Sequence, residues 1–241
     1  MSDSREALVT ETQVRKRSRV MSIIRWLIKR LVNLQVIGAE NIPKEGPCMV
    51  VISHISRLDP PFLMASTERS DLVAVVAHEY RSAPLIGWIM NALHVIWITR
   101  GENDMQAFRK VLEYLKAGWI VGIAPEGTRS KDEKLLEGKH GAAVLADRAG
   151  VMLLPIALSG SNKMVQSFSH LRKIHAQVVI GEPFALPPHG SEDSHQWLNM
   201  ATDEIMCQIA ALLPPERHGF YAGHPRLAEL LALKGQTQKG S

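Results

Sequence analysis

His54 and Asp59 stand five positions apart in Ser53-His54-Ile55-Ser56-Arg57-Leu58-Asp59-Pro60-Pro61, a stretch that follows the apolar run Met49-Val50-Val51-Ile52. A histidine titrating near neutrality removes a proton from a hydroxyl when a second group fixes its tautomer and balances the imidazolium that forms. In the serine-hydrolase triad an aspartate does both without taking the proton. On a continuous helix two side chains five residues apart diverge by about 140°, so this pair can meet only across a non-helical loop. Pro60 and Pro61 agree with such a loop, because they fit only the first turn of a helix, with Asp59 as its cap. Two readings stay open here: a base with its orienting carboxylate, or a helix cap beside a satisfied interior histidine.

A second polar loop, Pro125-Glu126-Gly127-Thr128-Arg129-Ser130, follows the apolar run ending at Ala124. Its small residues would let backbone N–H groups approach an anion, and the planar fork of Arg129 can bind phosphate in bidentate fashion. Arg100, in Thr99-Arg100-Gly101-Glu102 after another run, could reach the same ligand from the side. Glu126 would repel a phosphate directly, so it is expected to hold an arginine or accept from a substrate hydroxyl. The plainer alternative is a surface turn with a weak Glu126 to Arg129 pair.

The elements that must position these loops follow from periodicity. Gln35–Ala39, Cys48–Ser53, Leu72–Ala77, His94–Ile98, Trp119–Ala124, Met152–Leu158 and Ile174–Ile180 have the length and composition of strands. Helical spacing is clearest in Asp104–Lys116, with Met105, Phe108, Val111, Leu112 and Leu115 on one face and Gly118 as a stop. Another helix is expected over Trp197–Leu213, ended by Pro214-Pro215, and a loose tail over Gly235–Ser241. The apolar stretch Ala83–Ile98, around Trp88, reads as a core or groove-lining helix followed by a strand; it is shorter than the roughly 20 residues of a membrane span. Alternating strands and helices argue for an α/β fold: one domain with a mixed, mostly parallel sheet of about seven strands covered by helices. Such sheets carry their chemistry just beyond the carboxyl ends of strands, where all three polar loops fall.

With 241 residues, 46% hydrophobic and 22% charged, the chain has room for one sizeable core. Its two cysteines, Cys48 and Cys207, lack metal-ligand spacing and suit a reducing, cytosolic setting, and no signal peptide is expected. Charge is uneven. Between Thr12 and Ala39 lie Arg15, Lys16, Arg17, Arg19, Arg25, Lys29 and Arg30 with no acid, leaving 21 cations against 24 acids elsewhere. Over Val20–Leu34 the apolar residues Val20, Ile23, Ile24, Leu27, Leu31 and Leu34 oppose Ser18, Ser22, Arg25, Lys29 and Asn33, with Trp26 at the boundary. This basic amphipathic helix would either lie in a membrane interface or pack its apolar stripe on the domain. Nothing downstream supports a nucleic-acid surface. The resulting division is a helical segment over 1–34, a main domain over 35–213 and a C-terminal extension over 214–241.

His-x4-Asp, Arg100-Gly101, Glu126-Gly127-Thr128-Arg129-Ser130 and Leu154-Pro155-Ile156, in this order, resemble the four motif blocks of the glycerolipid acyltransferases. The likeness runs from Gln35 to Pro183 and is nearest to the bacterial 1-acylglycerol-3-phosphate acyltransferases. It implies acyl transfer without a covalent enzyme intermediate. His54 would be the general base and Asp59 its orienting, charge-balancing partner, while Arg100, Glu126, Gly127, Thr128 and Arg129 would hold the phosphate and glycerol of a lysophospholipid acceptor. The acyl thioester of coenzyme A or acyl carrier protein is then a co-substrate, no cofactor or metal is needed, and the product is phosphatidic acid. Ala124, where the family often has an aromatic residue, and Ser53, where asparagine is also common, bear on pocket shape. A membrane-dwelling acceptor would suit peripheral attachment to anionic lipids at the cytoplasmic face, without a spanning helix. The competing readings are another acceptor (glycerol-3-phosphate, a different lysophospholipid or an amino-acid lipid), an acyl thioesterase, or a non-catalytic membrane adaptor. The absence of a Gly-x-Ser-x-Gly elbow disfavours a serine hydrolase.

Overall fold

The structure, a computed structural model, describes residues 11–56, 59–82, 84–99, 104–160, 174–190 and 193–237. The chain runs α1 (Glu11–Leu31), β1 (Val32–Ile37), β2 (Cys48–Ile52), α2 (Asp59–Ala65), β3 (Leu72–Ala77), α3 (Pro84–Ala92), β4 (Ile96–Ile98), α4 (Met105–Lys116), β5 (Ile120–Ile123), α5 (Gly141–Ala149), β6 (Leu153–Ser159), β7 (Ile174–Ile180), α6 (Ser194–Ala210) and α7 (Pro225–Thr237). One sheet holds the strands in the order β1-β7-β6-β2-β5-β3-β4. β6, β2, β5, β3 and β4 are mutually parallel; β7 is antiparallel to β6, and β1 is parallel to β7. The expected α/β architecture is therefore present, with β2 near its centre.

Every residue of β2 is buried, which explains its unbroken apolar sequence. Alternation still assigns its side chains to two cores. Cys48, Val50 and Ile52 join the layer built from α1, α2 and α3, whereas Met49 and Val51 join that of α4, α5, α6 and α7. Both cysteines are free thiols and buried, and burial pushes each thiol up to about 12. α4 forms where its pattern places it. Asp104 caps it by accepting the Ala107 N–H at 2.9 Å, and also takes the Thr99 N–H at 3.2 Å, which fastens the end of the β4–α4 connection.

Three expectations need correction. α1 ends at Leu31, so Leu34 belongs to β1, and that strand stops at Ile37 because Gly38 takes φ +75° against Ile180. The buried face of α1 is Arg17, Val20, Met21 and Ile28, while Ile23, Trp26, Leu27 and Leu31 point outward. Arg17 is not a solvated cation. It is 2% exposed, donates to the carbonyls of Ser70, Leu72 and Leu93, and lies over the Trp119 ring. Desolvation pulls its guanidinium down to about 10. Arg25 likewise donates to the carbonyls of Met64 and Arg69 at 3.1 Å each, tying α1 to the end of α2 and the turn after it. α1 thus packs on the domain and keeps a second apolar stripe free. Finally, Gly235 is not in a loose tail: α7 continues to Thr237, held by buried Leu227 and Leu230.

Candidate active site

β2 delivers the chain directly to the site. Ser53 is fixed to β6 by two hydrogen bonds: its N–H donates to Ile156 O at 3.1 Å, and its Oγ accepts the Leu158 N–H at 3.1 Å. A role for Ser53 in registering the loop was not visible in sequence. The next residue is His54, whose ring is 16% exposed and whose Nδ1 lies 2.8 Å from Asp59 Oδ2. Ser53–Ser56, the described part of the loop that leaves β2, is non-helical. Asp59 is fully buried at the start of α2. Its Oδ2 turns back to accept the N–H groups of Ile55 at 2.9 Å and Ser56 at 2.8 Å. Those bonds hold the carboxylate as an acceptor, so the network assigns the proton to His54 Nδ1 and leaves a lone pair on Nε2.

The loop after β5 grips the same histidine by its backbone. Ser130 N–H donates to His54 O at 2.8 Å, and His54 N–H donates to Glu126 Oε1 at 3.0 Å. The second oxygen of Glu126 accepts the Leu136 N–H at 2.8 Å. Glu126 is 2% exposed, and neither an arginine nor an exposed face explains it. Burial pushes its carboxyl up to about 7, against the two backbone donors that favour ionisation.

The remaining expected residues divide. Gly127 adopts φ +67°, but its N–H closes the turn onto Ala124 O at 3.0 Å and so does not face an anion. Gly127 and Thr128 are exposed, and Arg129 is half-buried. The Arg129 Nε is buried with no hydrogen-bond partner among the described residues. No Glu126–Arg129 pair forms, since both Glu126 oxygens bind backbone. Arg100 lies outside the described residues. At the carboxyl ends of β3 and β4, a cavity of about 250 Å³ is lined by residues that include His78, Arg81, Trp97, Asp104, Gln106 and Lys110. Arg81 and Lys110 sit in separate elements without a motif, so no sequence pattern announces this cavity. Among the described residues no group of side chains could hold a metal ion.

An acyltransferase family model matches residues 33–159, slightly more than half of the chain, and takes in both loops that converge on His54. The chain belongs to the acyltransferase family. A chloroplast 1-acyl-sn-glycerol-3-phosphate acyltransferase of Arabidopsis thaliana is 31% identical over 164 residues, covering 66% of this chain and 44% of that protein. The lyso-ornithine lipid O-acyltransferase of Pseudomonas aeruginosa is 31% identical over 143 residues, covering 57% and 53%. This acyltransferase chain spans about half the length of the first curated relatives it matches. The crystal structure of the 1-acyl-sn-glycerophosphate acyltransferase of Thermotoga maritima superimposes with a TM-score of 0.59 at 25% identity, covering 90% of this chain and 81% of that one.

Proposed function

We propose that this acyltransferase moves a fatty acyl group from acyl-coenzyme A or acyl carrier protein to the free hydroxyl of 1-acylglycerol-3-phosphate, giving phosphatidic acid. The observation that carries the reading is the 2.8 Å pair of His54 and fully buried Asp59 at the carboxyl end of β2. His54 Nε2 takes the hydroxyl proton as the acceptor oxygen attacks the thioester carbonyl. Asp59 balances the imidazolium. Collapse of the tetrahedral adduct breaks the C–S bond, and the sulfur leaves as thiol with the proton returned by His54. Arg129, whose Nε has no partner among the described residues, would meet the acceptor's phosphate and glycerol together with Arg100, Gly127 and Thr128, Gly127 by shaping the turn and not by its N–H.

The similarity to a lyso-ornithine lipid acyltransferase makes an amino-acid lipid the second reading. Acceptor competition decides between them. With lysophosphatidic acid preferred, Arg129→Ala is expected to lower kcat/KM for it about 10- to 100-fold, the value of a charge-assisted hydrogen bond, and to affect a phosphate-free acceptor little. Equal or better turnover of lyso-ornithine lipid, indifferent to Arg129, would reverse the assignment.

We also propose peripheral attachment to the cytoplasmic face of an anionic membrane through α1. Ile23, Trp26, Leu27 and Leu31 form one outward stripe, with Arg19, Lys29 and Arg30 exposed around it. Trp88 of neighbouring α3 is 52% exposed. No helix among the described residues is long and apolar enough to cross a membrane. Each cation near an anionic leaflet contributes about 1 kcal/mol. Trp26→Ala with Leu27→Ser touches no buried residue and is expected to abolish flotation with anionic liposomes; unchanged flotation would contradict the attachment.

A further inference from the structure

The irregular segment after Ser130 carries the Leu136 N–H that holds Glu126, and that segment is itself held from the far end of the chain. Between α6 and α7 the chain makes two short 3-10 turns, Pro215–Arg217 and Gly219–Tyr221. From them, Arg217 O accepts the Leu135 N–H at 3.0 Å, and the Phe220 N–H donates to Leu135 O at 2.9 Å. The Tyr221 hydroxyl accepts the Gly138 N–H at 3.0 Å. The Arg217 guanidinium also pairs with Glu133, which sits at φ +64°. Gly219 fits only because it lacks a side chain: it has φ +52°, and a Cβ there would lie 2.2 Å from Leu135 O. Tyr221 is 1% exposed and Leu135 3%. His218 donates Nε2–H to Leu213 O at 3.1 Å, anchoring the turns to the end of α6.

We propose that Gly219 and Tyr221 are positioning residues for His54, acting through Leu135–Gly138 and the two-sided carboxylate of Glu126. This rests on the reading of His54 as general base. The path has three short steps: the turns fix Leu135 and Gly138, Leu136 between them fixes Glu126 Oε2, and Glu126 Oε1 fixes the His54 backbone. Each contact is a directional hydrogen bond, and apart from exposed Phe220 the residues that make them are buried or half-buried, so a shift at Leu135 reaches the imidazole with little slack. The turns lie outside residues 33–159, so the catalytic loop is braced by a part of the chain beyond the matched family region.

The test uses the full chain with Tyr221→Phe and Gly219→Ala, and Arg226→Gln as a control. Arg226 binds Glu204 across α6 and α7, and touches neither Leu135–Gly138 nor His54. Because a misplacement of about 1 Å costs about 100-fold in rate, Gly219→Ala is expected to lower kcat about that much, and Tyr221→Phe about tenfold. KM for the acyl thioester should stay within about twofold of wild type, since binding contacts are untouched. Hydrogen exchange at the His54 and Leu136 amides should accelerate in both variants, with the β6 amides unchanged. Arg226→Gln should lower the melting temperature without altering kcat per folded molecule. Should either variant not fold, the other decides. The proposal is overturned if the folded variants keep wild-type kcat and His54 exchange, or if Arg226→Gln loses as much kcat as they do. If wild type transfers no acyl group, the general-base reading fails while His54 amide exchange still decides whether the turns hold the loop.

Discussion

His54→Ala is expected to lower kcat by roughly 10²- to 10⁴-fold, the usual contribution of a positioned general base. The acceptor hydroxyl is a poor nucleophile until its proton leaves, and among the described residues the free Nε2 of His54 is the basic group on the loop leaving β2. Truncation leaves Asp59 Oδ2 with the N–H groups of Ile55 and Ser56, so the loop keeps its acceptor and the fold should survive. KM for both substrates should change little, because a general base acts on the proton in flight. Steady-state kinetics alongside a thermal melt separate lost catalysis from lost structure. A variant retaining more than about one tenth of wild-type kcat would contradict a general-base role.

Asp59→Asn should rank second. Three donors, His54 Nδ1 and the N–H groups of Ile55 and Ser56, converge on Asp59 Oδ2. An asparagine carbonyl can receive them, so this substitution keeps an acceptor and removes the negative charge. What is lost is the stabilisation of the imidazolium that forms as the hydroxyl gives up its proton. By analogy with triad chemistry the expected loss in kcat is about 10² or more. Asp59→Ala should be worse in another way, because it leaves two backbone donors unpaired in a fully buried site, at about 1–3 kcal/mol each. Asparagine near full activity, with alanine inactive only in proportion to its unfolded fraction, would mean that Asp59 merely shapes the loop.

The His54–Asp59 pair and the strand ladder were legible because short-range rules govern both. Proline restricts α2 to a beginning after the loop, and apolar runs of strand length give the seven strands. The carboxylate of Glu126 suggests in sequence a substrate or arginine contact. The partners the fold gives it, the His54 and Leu136 N–H groups, are backbone atoms that no residue type announces. Gly127 illustrates the converse, a small residue whose N–H closes its own turn. Arg17 escaped because a cation in a basic run ordinarily stays in water, and only the fold shows three carbonyls converging on it. For α1 the periodicity was correct but the facing was not: the helix has apolar residues on two sides, and sequence alone does not say which side meets Phe62, Leu63 and Met64. The brace from Gly219 and Tyr221 depends on contacts about 80 positions apart in sequence, beyond any local pattern.

The central claim is direct transfer by a histidine base, and thiol release from a long-chain acyl-coenzyme A or acyl carrier protein thioester tests it most directly. It is followed in mixed micelles with the purified chain, with and without lysophosphatidic acid, while intact-protein mass is recorded. Release that requires the acceptor, matches new phosphatidic acid one for one and leaves the protein mass unchanged is the predicted result. A burst of thiol without acceptor, accompanied by an acyl adduct on the chain or by free fatty acid, would contradict it.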